Sequence, residues 1–401
     1  MDFYIRETQS RADFETVQTL LRLAFNVRPG VGSAFAQVYL DVVTQTTAQS
    51  WVAVIQDKIV GHVLLARRTF VMDGAMVSGG VVAMLVVDAA HRRCGIGTAL
   101  IEAAMNWAQT QGIVMLHLAG DAGFYTRFGF VPAYVRAVVD IAVVPFLDSR
   151  PLLLATFEDV DRLVGLSGCE RPVGSALVDA DRWHWILKTT HPAPLLRCND
   201  QLLGFCAQDD ACLVMEHKAF ARVCWDRHVL AIYEAAAISI QDARHLLDGL
   251  HNFSHQHGCK KMVLHLPPDN RLMQAVVSDG TRMTVEEDAE LLVKVLNIPK
   301  MMQQMQGVLT QRMYQARWIG VVELRVGDHL FGFANDGQQV TFGQPLAQGW
   351  RVVLPERIWV KGVMGVVSMA DYLLDKERDL AQVLDVLFPV RQPFFWLADS
   401  L

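Results

Sequence analysis

Along the first 145 residues the spacing of apolar and polar positions changes several times. "DFYIRET" reads as a short strand, and "RADFETVQTLLRLAF" follows with apolar positions near a 3.6-residue period. The pattern predicts a strand over 2–8 and a helix over 11–25, with Ser10 or Asp13 as its cap. "SWVAVIQDKIVGHVLLARRTFVM" holds two β-rich runs around Gln56-Asp57-Lys58, a hairpin signal. "MDGAMVSGGVVAMLVVD" adds another partner and ends in a long buried strand. Thr98 to Gln111 is amphipathic and stops at Gly112, a residue suited to end a helix. "IVMLHLAG" predicts a strand, "GFYTRFGF" a turn or short helix, and "AVVDIAVV" a returning strand.

The alternation begins again over 146–288. "TFEDVDRLVGLSG" and "DADRWHWILKTT" predict helices, and "LLRCNDQLLGFCAQDDACLVM" predicts paired strands. "VLAIYEAAAIS", "IQDARHLLDGLHNFSHQHG" and "KKMVLHLPPDN" give strand, helix and strand. This order repeats that of the first unit, a weak internal repeat. A third unit spans 289–401. "AELLVKVLNIPKMMQQM" passes from strand to helix, and Pro299 suits the helix start. "GVVELRVGDHLFGFANDGQQVTFG" alternates like strands, with turns at Gly327-Asp328 and Asn335-Asp336-Gly337. "SMADYLLDKERDLAQVLDVLF" predicts one long helix. The expected class is α/β, with three units at 1–145, 146–288 and 289–401.

Bulk composition narrows this picture. A chain of 401 residues with 52% hydrophobic positions has material for two or three packed cores. A net charge of −6 argues against a nucleic-acid binder. No apolar run reaches the ~18 residues that span a bilayer, and "MDFYIRETQS" is no signal peptide. Seven cysteines without a Cys-x-x-Cys pair speak against a disulfide framework or a zinc ribbon. The expectation is a reduced, cytoplasmic protein with no membrane and no nucleic-acid partner. His251, His255 and His257 cluster in "HNFSHQHG", and a solvated helix end is the simpler account, so no metal is expected.

The candidate chemistry starts at "LVVDAAHRRCGIGTALIEA". A glycine turn that leads from a strand into a helix brings open N–H groups and positive charge to one place, and so favours a phosphate. Gly95 and Gly97 would allow close approach, and Arg92 and Arg93 would add charge. A P-loop would need Gly-Lys-Ser/Thr, but Thr98-Ala99 follow Gly97. A dinucleotide fingerprint would need a third small residue where Leu100 stands. What is left is Arg-x-x-Gly-x-Gly.

That pattern, together with "GFYTRFGFVPA" downstream, resembles the GNAT superfamily, the GCN5-related N-acetyltransferases. Over the whole chain the resemblance is to the three-domain Eis type (enhanced intracellular survival). "DRWHWIL", "LLVKVLNIP" and the ending "FFWLADSL" fall at matching stations. It implies a catalytic GNAT domain, a second degenerate copy without the Arg/Gly turn, and a sterol-carrier-protein-like (SCP2-like) third domain. The implied folds are tandem mixed sheets flanked by helices, then an α+β unit. The implied activity is acetyl transfer from acetyl-CoA to a primary amine by direct attack in a ternary complex, without a metal.

The resemblance assigns the coenzyme A arm to the strand Leu85, Val86 and Val87, and its pyrophosphate to Arg92, Arg93, Gly95, Ile96, Gly97 and Thr98. It makes Tyr125 the general acid. A phenol near pKa ~10 stays protonated at neutral pH and can face a thiolate whose acid is near ~8.5. The base is open among His91, His117, Asp88 and Asp121. The resemblance adds the chain-terminal carboxylate of Leu401, anchored by Phe394, Phe395 and Trp396. The acceptor would be a small-molecule or lysine-type amine, and the assembly a homo-oligomer, by resemblance a hexamer. A different class stays in play: a carrier of apolar ligands, or a CoA sensor without catalysis, built on the third unit.

Overall fold

The computed structural model describes residues 2–25, 31–43, 47–144, 151–188, 196–198, 201–203, 211–216, 218–225, 228–278, 280–343, 350–373 and 380–395. The first stretch holds β1 (Tyr4–Glu7), α1 (Arg11–Ala24), α2 (Val31–Val43), β2 (Ala48–Ile55), β3 (Lys58–Met72), β4 (Ala75–Val87), α3 (Ile96–Thr110), β5 (Met115–Ala119), α4 (Ala122–Tyr125), β6 (Val131–Pro132) and β7 (Val135–Ala142). The second holds β8 (Leu153–Leu154), α5 (Val160–Cys169), α6 (Ala180–Lys188), β9 (Leu196–Cys198), β10 (Gln201–Leu203), β11 (Ala211–Glu216), β12 (Ala219–Trp225), β13 (Val229–Ala237), α7 (Ile240–Gln256), β14 (Lys261–His265), α8 (Arg271–Ser278) and β15 (Thr284–Glu287). The third holds β16 (Leu291–Val295), α9 (Ile298–Ala316), β17 (Gly320–Val326), β18 (His329–Asn335), β19 (Val340–Gly343), β20 (Trp350–Leu354), α10 (Glu356–Met364) and α11 (Ala381–Leu387).

Mixed sheets flanked by helices result, the α/β class expected from the sequence. The large sheets run β1-β2-β3-β4-β5-β16-β6 and β15-β7-β14-β13-β12-β11-β8, and the third runs β19-β18-β17-β20. The two large sheets trade strands. β7, from the first 145 residues, pairs with β14 and β15. β16, from beyond residue 289, lies antiparallel to β5 and covers an edge that would otherwise be open.

Local chemistry sets the element ends. Ser10 caps α1 by accepting the Asp13 N–H, while Asp13 returns a bond to the Ser10 backbone. Both expected cap residues therefore take part. Arg6 clamps the Asp13 carboxylate with two bonds of 2.7 and 2.8 Å. α2 has no counterpart in the sequence reading, although Ala36, Tyr39 and Val42 fall three apart and pack with Val17 and Leu21 of α1. α8, β20 and α10 likewise emerge only in the structure. The long helix expected over 368–388 is not continuous: a single turn at Met369–Tyr372 ends at Leu373 in extended backbone, and α11 starts at Ala381.

The third unit is tied to the first. Asp73, at the β3–β4 turn, binds Arg312 of α9 at 2.5 Å and Arg391 at 3.3 Å. Arg312 also donates to the Leu387 carbonyl at 2.8 Å. The apolar face of the third sheet is filled by α9, α10 and α11 through Met305, Leu309, Trp359 and Leu384.

Burial holds three histidines neutral: His62 and His265 are pushed down to about 4 and His117 to about 3, in each case mainly by desolvation. The unfolded chain would protonate them near the ordinary value of 6.5, so it binds more protons below that pH than the folded chain does. The stability they contribute is full above pH 6.5 and lost as pH falls toward about 4. We expect the melting temperature to fall steadily from pH 6.5 downward, and to fall less steeply in His265→Gln. A flat profile between pH 7 and 5 would contradict this account.

Candidate functional site

β4 and β5 are bound to each other over three pairs only, Gly79 with Met115, Gly80 with Leu116 and Val81 with His117. β4 then runs on to Val87 with no strand on that side among the described residues. The expected orienting residues Leu85, Val86 and Val87 lie on this open edge. Among the described residues, the side chains bonded to the β4 backbone from Val82 to Val87 are His62, from the β3 side, and Arg92, whose Nε donates to the Val87 carbonyl at 3.2 Å. Backbone groups must find partners, so this edge is a place for an extended ligand.

The turn after β4 is held from within. Asp88 accepts the Ala90 N–H and pairs with His91 at 3.1 Å. Arg93 and Gly95 take left-handed backbone, at φ 63° and 83°. Gly95 caps α3 with no side chain, and the first helical bond runs from the Ala99 N–H to the Gly95 carbonyl. The N–H groups of Ile96, Gly97 and Thr98 thus lack helical partners, where the helix carries partial positive charge. Arg92, Arg93, Cys94 and Gly95 are exposed around them. A Cβ on Gly95 would touch nothing within 4 Å, so the demand for glycine there is conformational.

The opposite wall is the segment after β5. Asp121 caps α4 by accepting the Gly123 N–H at 2.9 Å. The Tyr125 ring packs against Gly120, where a Cβ would stand 2.5 Å from ring carbon Cε2. Tyr125 is half-buried, and burial, then the Asp121 charge, pushes its phenol up to about 12. Arg127 was not singled out by the sequence reading. It donates to Thr98 Oγ1 at 3.1 Å and lies 4.2 Å from the Phe124 ring centre, so it bridges α4 to the first turn of α3. Its signal in the sequence was a cation inside an aromatic segment.

The base candidates are engaged in structural bonds. Asp88 and His91 hold the turn, and Asp121 caps α4. His117 is buried against Tyr134, whose hydroxyl donates to the Gly174 carbonyl at 3.0 Å and so accepts from His117 Nδ1. The Phe395 ring stacks on His117 at 5.7 Å. Nearby, the Val135 N–H donates to the Pro393 carbonyl and the Phe394 N–H to that of Val173. The tail thus meets the first sheet through Phe395 and the second through Pro393. Trp396 and Leu401 lie outside the described residues. His251 Nδ1 accepts the Val144 N–H at 3.1 Å, which gives that histidine a structural bond. Among the described residues no group of three His, Cys, Asp or Glu side chains could hold a metal ion, and no helix is long and apolar enough to cross a membrane.

The second large sheet has a similar parting. β13 and β14 are parallel over Val229–Ile232, and β13 continues to Ala237. Here the protein fills its own gap. Asn270 donates to the Ala235 carbonyl, Arg271 to that of Ala237, and Glu170 accepts the N–H groups of Ala237 and Arg271. Ser239 caps α7 by accepting the Asp242 N–H. No ligand is needed to satisfy these groups.

Residues 46–132 match the family described as acetyltransferase (GNAT) domain. Among curated proteins none matches the sequence significantly. Solved structures share the fold over nearly the whole length. A GCN5-related N-acetyltransferase from Kribbella flavida is 12% identical, with a TM-score of 0.69 and 98% of each chain covered. A probable N-acyltransferase from Enterococcus faecalis is 12% identical, with a TM-score of 0.67 and 99% of each chain covered. Eis1 from Mycobacterium abscessus is 16% identical, with a TM-score of 0.65, 98% of this chain and 99% of that one covered. The chain carries a GNAT acetyltransferase domain and is an acyltransferase enzyme.

The α3 turn yields a direct test. Gly95→Val forces a β-branched residue into left-handed backbone, at a cost of roughly 1–2 kcal/mol, whereas asparagine tolerates that region. We expect calorimetry to show CoA binding weakened about tenfold in Gly95→Val and much less in Gly95→Asn. Equal affinities would remove the turn from the ligand site.

Proposed function

We propose that this protein is an Eis-type N-acetyltransferase that moves the acetyl group of acetyl-CoA to a primary amine. The observation that carries the reading is the open edge of β4 running into an uncapped α3, while the similar gap in the second sheet is filled from within. The pantetheine arm would bond along Leu85, Val86 and Val87 as a missing strand would. Its pyrophosphate would take the N–H groups of Ile96, Gly97 and Thr98, with Arg92 and Arg93 beside them and Gly95 making room. Arg127 offers a further cation on the α4 side.

In the ternary complex the neutral amine attacks the thioester carbon. A C–N bond forms, the C–S bond breaks, and the amine proton passes to a base. CoA leaves as a thiolate that regains a proton. The Tyr125 hydroxyl donates to that sulfur as its charge grows. The chain-terminal carboxylate of Leu401 is the proposed base, and the stacking of Phe395 on His117 of the first sheet, beside the bond of Pro393 to β7, supports delivery of the tail. An α-carboxyl near pKa ~3.5 is a weak base in water, and desolvation would strengthen it.

The first unit (1–145) would hold the chemistry, the second (146–288) would help shape the acceptor cleft, and the sterol-carrier-protein-like third (289–401) would add a wall and the tail. The acceptor class is an amine borne by a small molecule or a lysine. An amine panel with CoA release as readout identifies it. We also propose a homo-oligomer, hexameric by resemblance, which light scattering would show as a mass several times that of one chain.

Tyr125→Phe should lower kcat by about 10²-fold with acetyl-CoA affinity retained; unchanged kcat would remove the phenol from the reaction. Deleting Ser400 and Leu401 should abolish turnover and leave acetyl-CoA binding intact. Full activity in that deletion would exclude the terminal carboxylate as the base.

A further inference from the structure

β4 does not simply leave β5; it is also broken on its other side. The β3–β4 register pairs His62 with Val86 but Leu64 with Ala83, so β4 carries an extra residue there. Met84 adopts φ 53°, left-handed backbone in a long side chain that disfavours it. Ala83 and Met84 consequently both pack on the side of α1 and α2, while Leu85 and Val87 turn to the side of α3. The bulge therefore decides which face, and which amides, the outer half of β4 presents.

A strained conformation of this kind persists only where its surroundings hold it. The holding group is His62 on β3. Its Nδ1 lies 3.0 Å from the Met84 carbonyl oxygen, and a carbonyl can only accept, so Nδ1 is the donor. The imidazole is fully buried, and burial keeps it neutral. Nε2 then carries only a lone pair, and it has no partner among the described residues. A histidine that leaves one nitrogen unsatisfied in a core is poor value as packing. The Tyr39 ring stands edge-on at 4.9 Å and fixes its plane.

We propose that His62 is a positioning residue for acyl transfer: its bond to Met84 holds the bulge that aims the open edge of β4 at the thioester. The proposal rests on the acetyltransferase reading above. His62 touches no substrate; it acts through the backbone of Met84.

The test uses the full chain with acetyl-CoA and whichever amine the panel identifies. His62→Val keeps a strand-forming residue and removes the donor. His62→Asn places a donor nitrogen the same number of bonds from the main chain as Nδ1. In His62→Val we expect kcat to fall about 10²-fold, as a displacement of about 1 Å in a reacting group can do, with CoA affinity within threefold of the native protein. His62→Asn should recover most of kcat. Hydrogen exchange of peptides covering residues 81–88 should be faster in His62→Val than in the native protein and His62→Asn, which reads the bulge without turnover. Native kcat in His62→Val would overturn the proposal, as would equal losses in both variants or unchanged exchange. If the native chain neither binds acetyl-CoA nor acetylates any amine, the acetyltransferase reading fails, and this proposal with it. A native chain that turns over with indifferent His62 variants sinks this proposal alone.

Discussion

The structure depends on one constraint: in each large sheet two adjacent parallel strands part after a few pairs, three in the first and four in the second, and the hydrogen-bonding groups beyond must go somewhere. The chain meets the constraint in two ways. In the second sheet it supplies Asn270, Arg271 and Glu170, and it caps the following helix with Ser239. In the first it supplies Arg92 at the far end, and Gly95 leaves the helix uncapped. One gap is a closed piece of architecture and the other is left open, which is what the proposed binding surface rests on, although both come from the same strand–helix–strand arrangement. The difference lies in a handful of side chains.

An open gap also has to keep its width, and the surrounding contacts explain how it does. β16 pairs along the far side of β5, so β5 is held from a distant part of the sequence. Asp73 ties the opposite end of β4 to Arg312 and Arg391 in the third unit. The ring stack of Phe70, His117 and Phe395 fills the base of the parting. The strands that could drift together are each anchored to something else.

Most of the first sheet was legible because its strands are long β-branched apolar runs and its turns carry Asp and Gly. The turn from β4 into α3 was legible too, since Arg92, Gly95 and Gly97 are read by chemistry rather than by periodicity. What escaped depends on long-range pairing. That β7 crosses to the second sheet and β16 to the first is a matter of partner choice, which the pattern of a strand's own residues does not encode. α2 was passed over because its polar stripe is thin, only Ser33, Gln37 and Asp41 in a largely apolar run, and packing on α1 shows which positions are inside. Arg127 and His62 are found through their partners, Thr98 and Met84, each more than twenty positions away. The helix expected over 368–388 failed at Leu373, where nothing in the sequence breaks the pattern.

Burial around Tyr125 poses a difficulty for the proposed chemistry and also resolves it. A phenol pushed up to about 12 keeps its proton firmly, and a thiol near ~8.5 in water is the stronger acid. Transfer from one to the other would be uphill if only the phenol were desolvated. But a dry slot penalises every unpaired charge placed in it. It raises the departing thiol as well, which narrows the gap, and a thiolate at the end of a phenolic hydrogen bond is stabilised before any proton moves. The same desolvation lowers an attacking ammonium, which favours the neutral amine that the reaction needs. In the proposed reaction, excluding water between β4 and the Tyr125 wall would shift the incoming amine and the outgoing sulfur in the directions that acyl transfer requires, without a strongly acidic group or a strongly basic one.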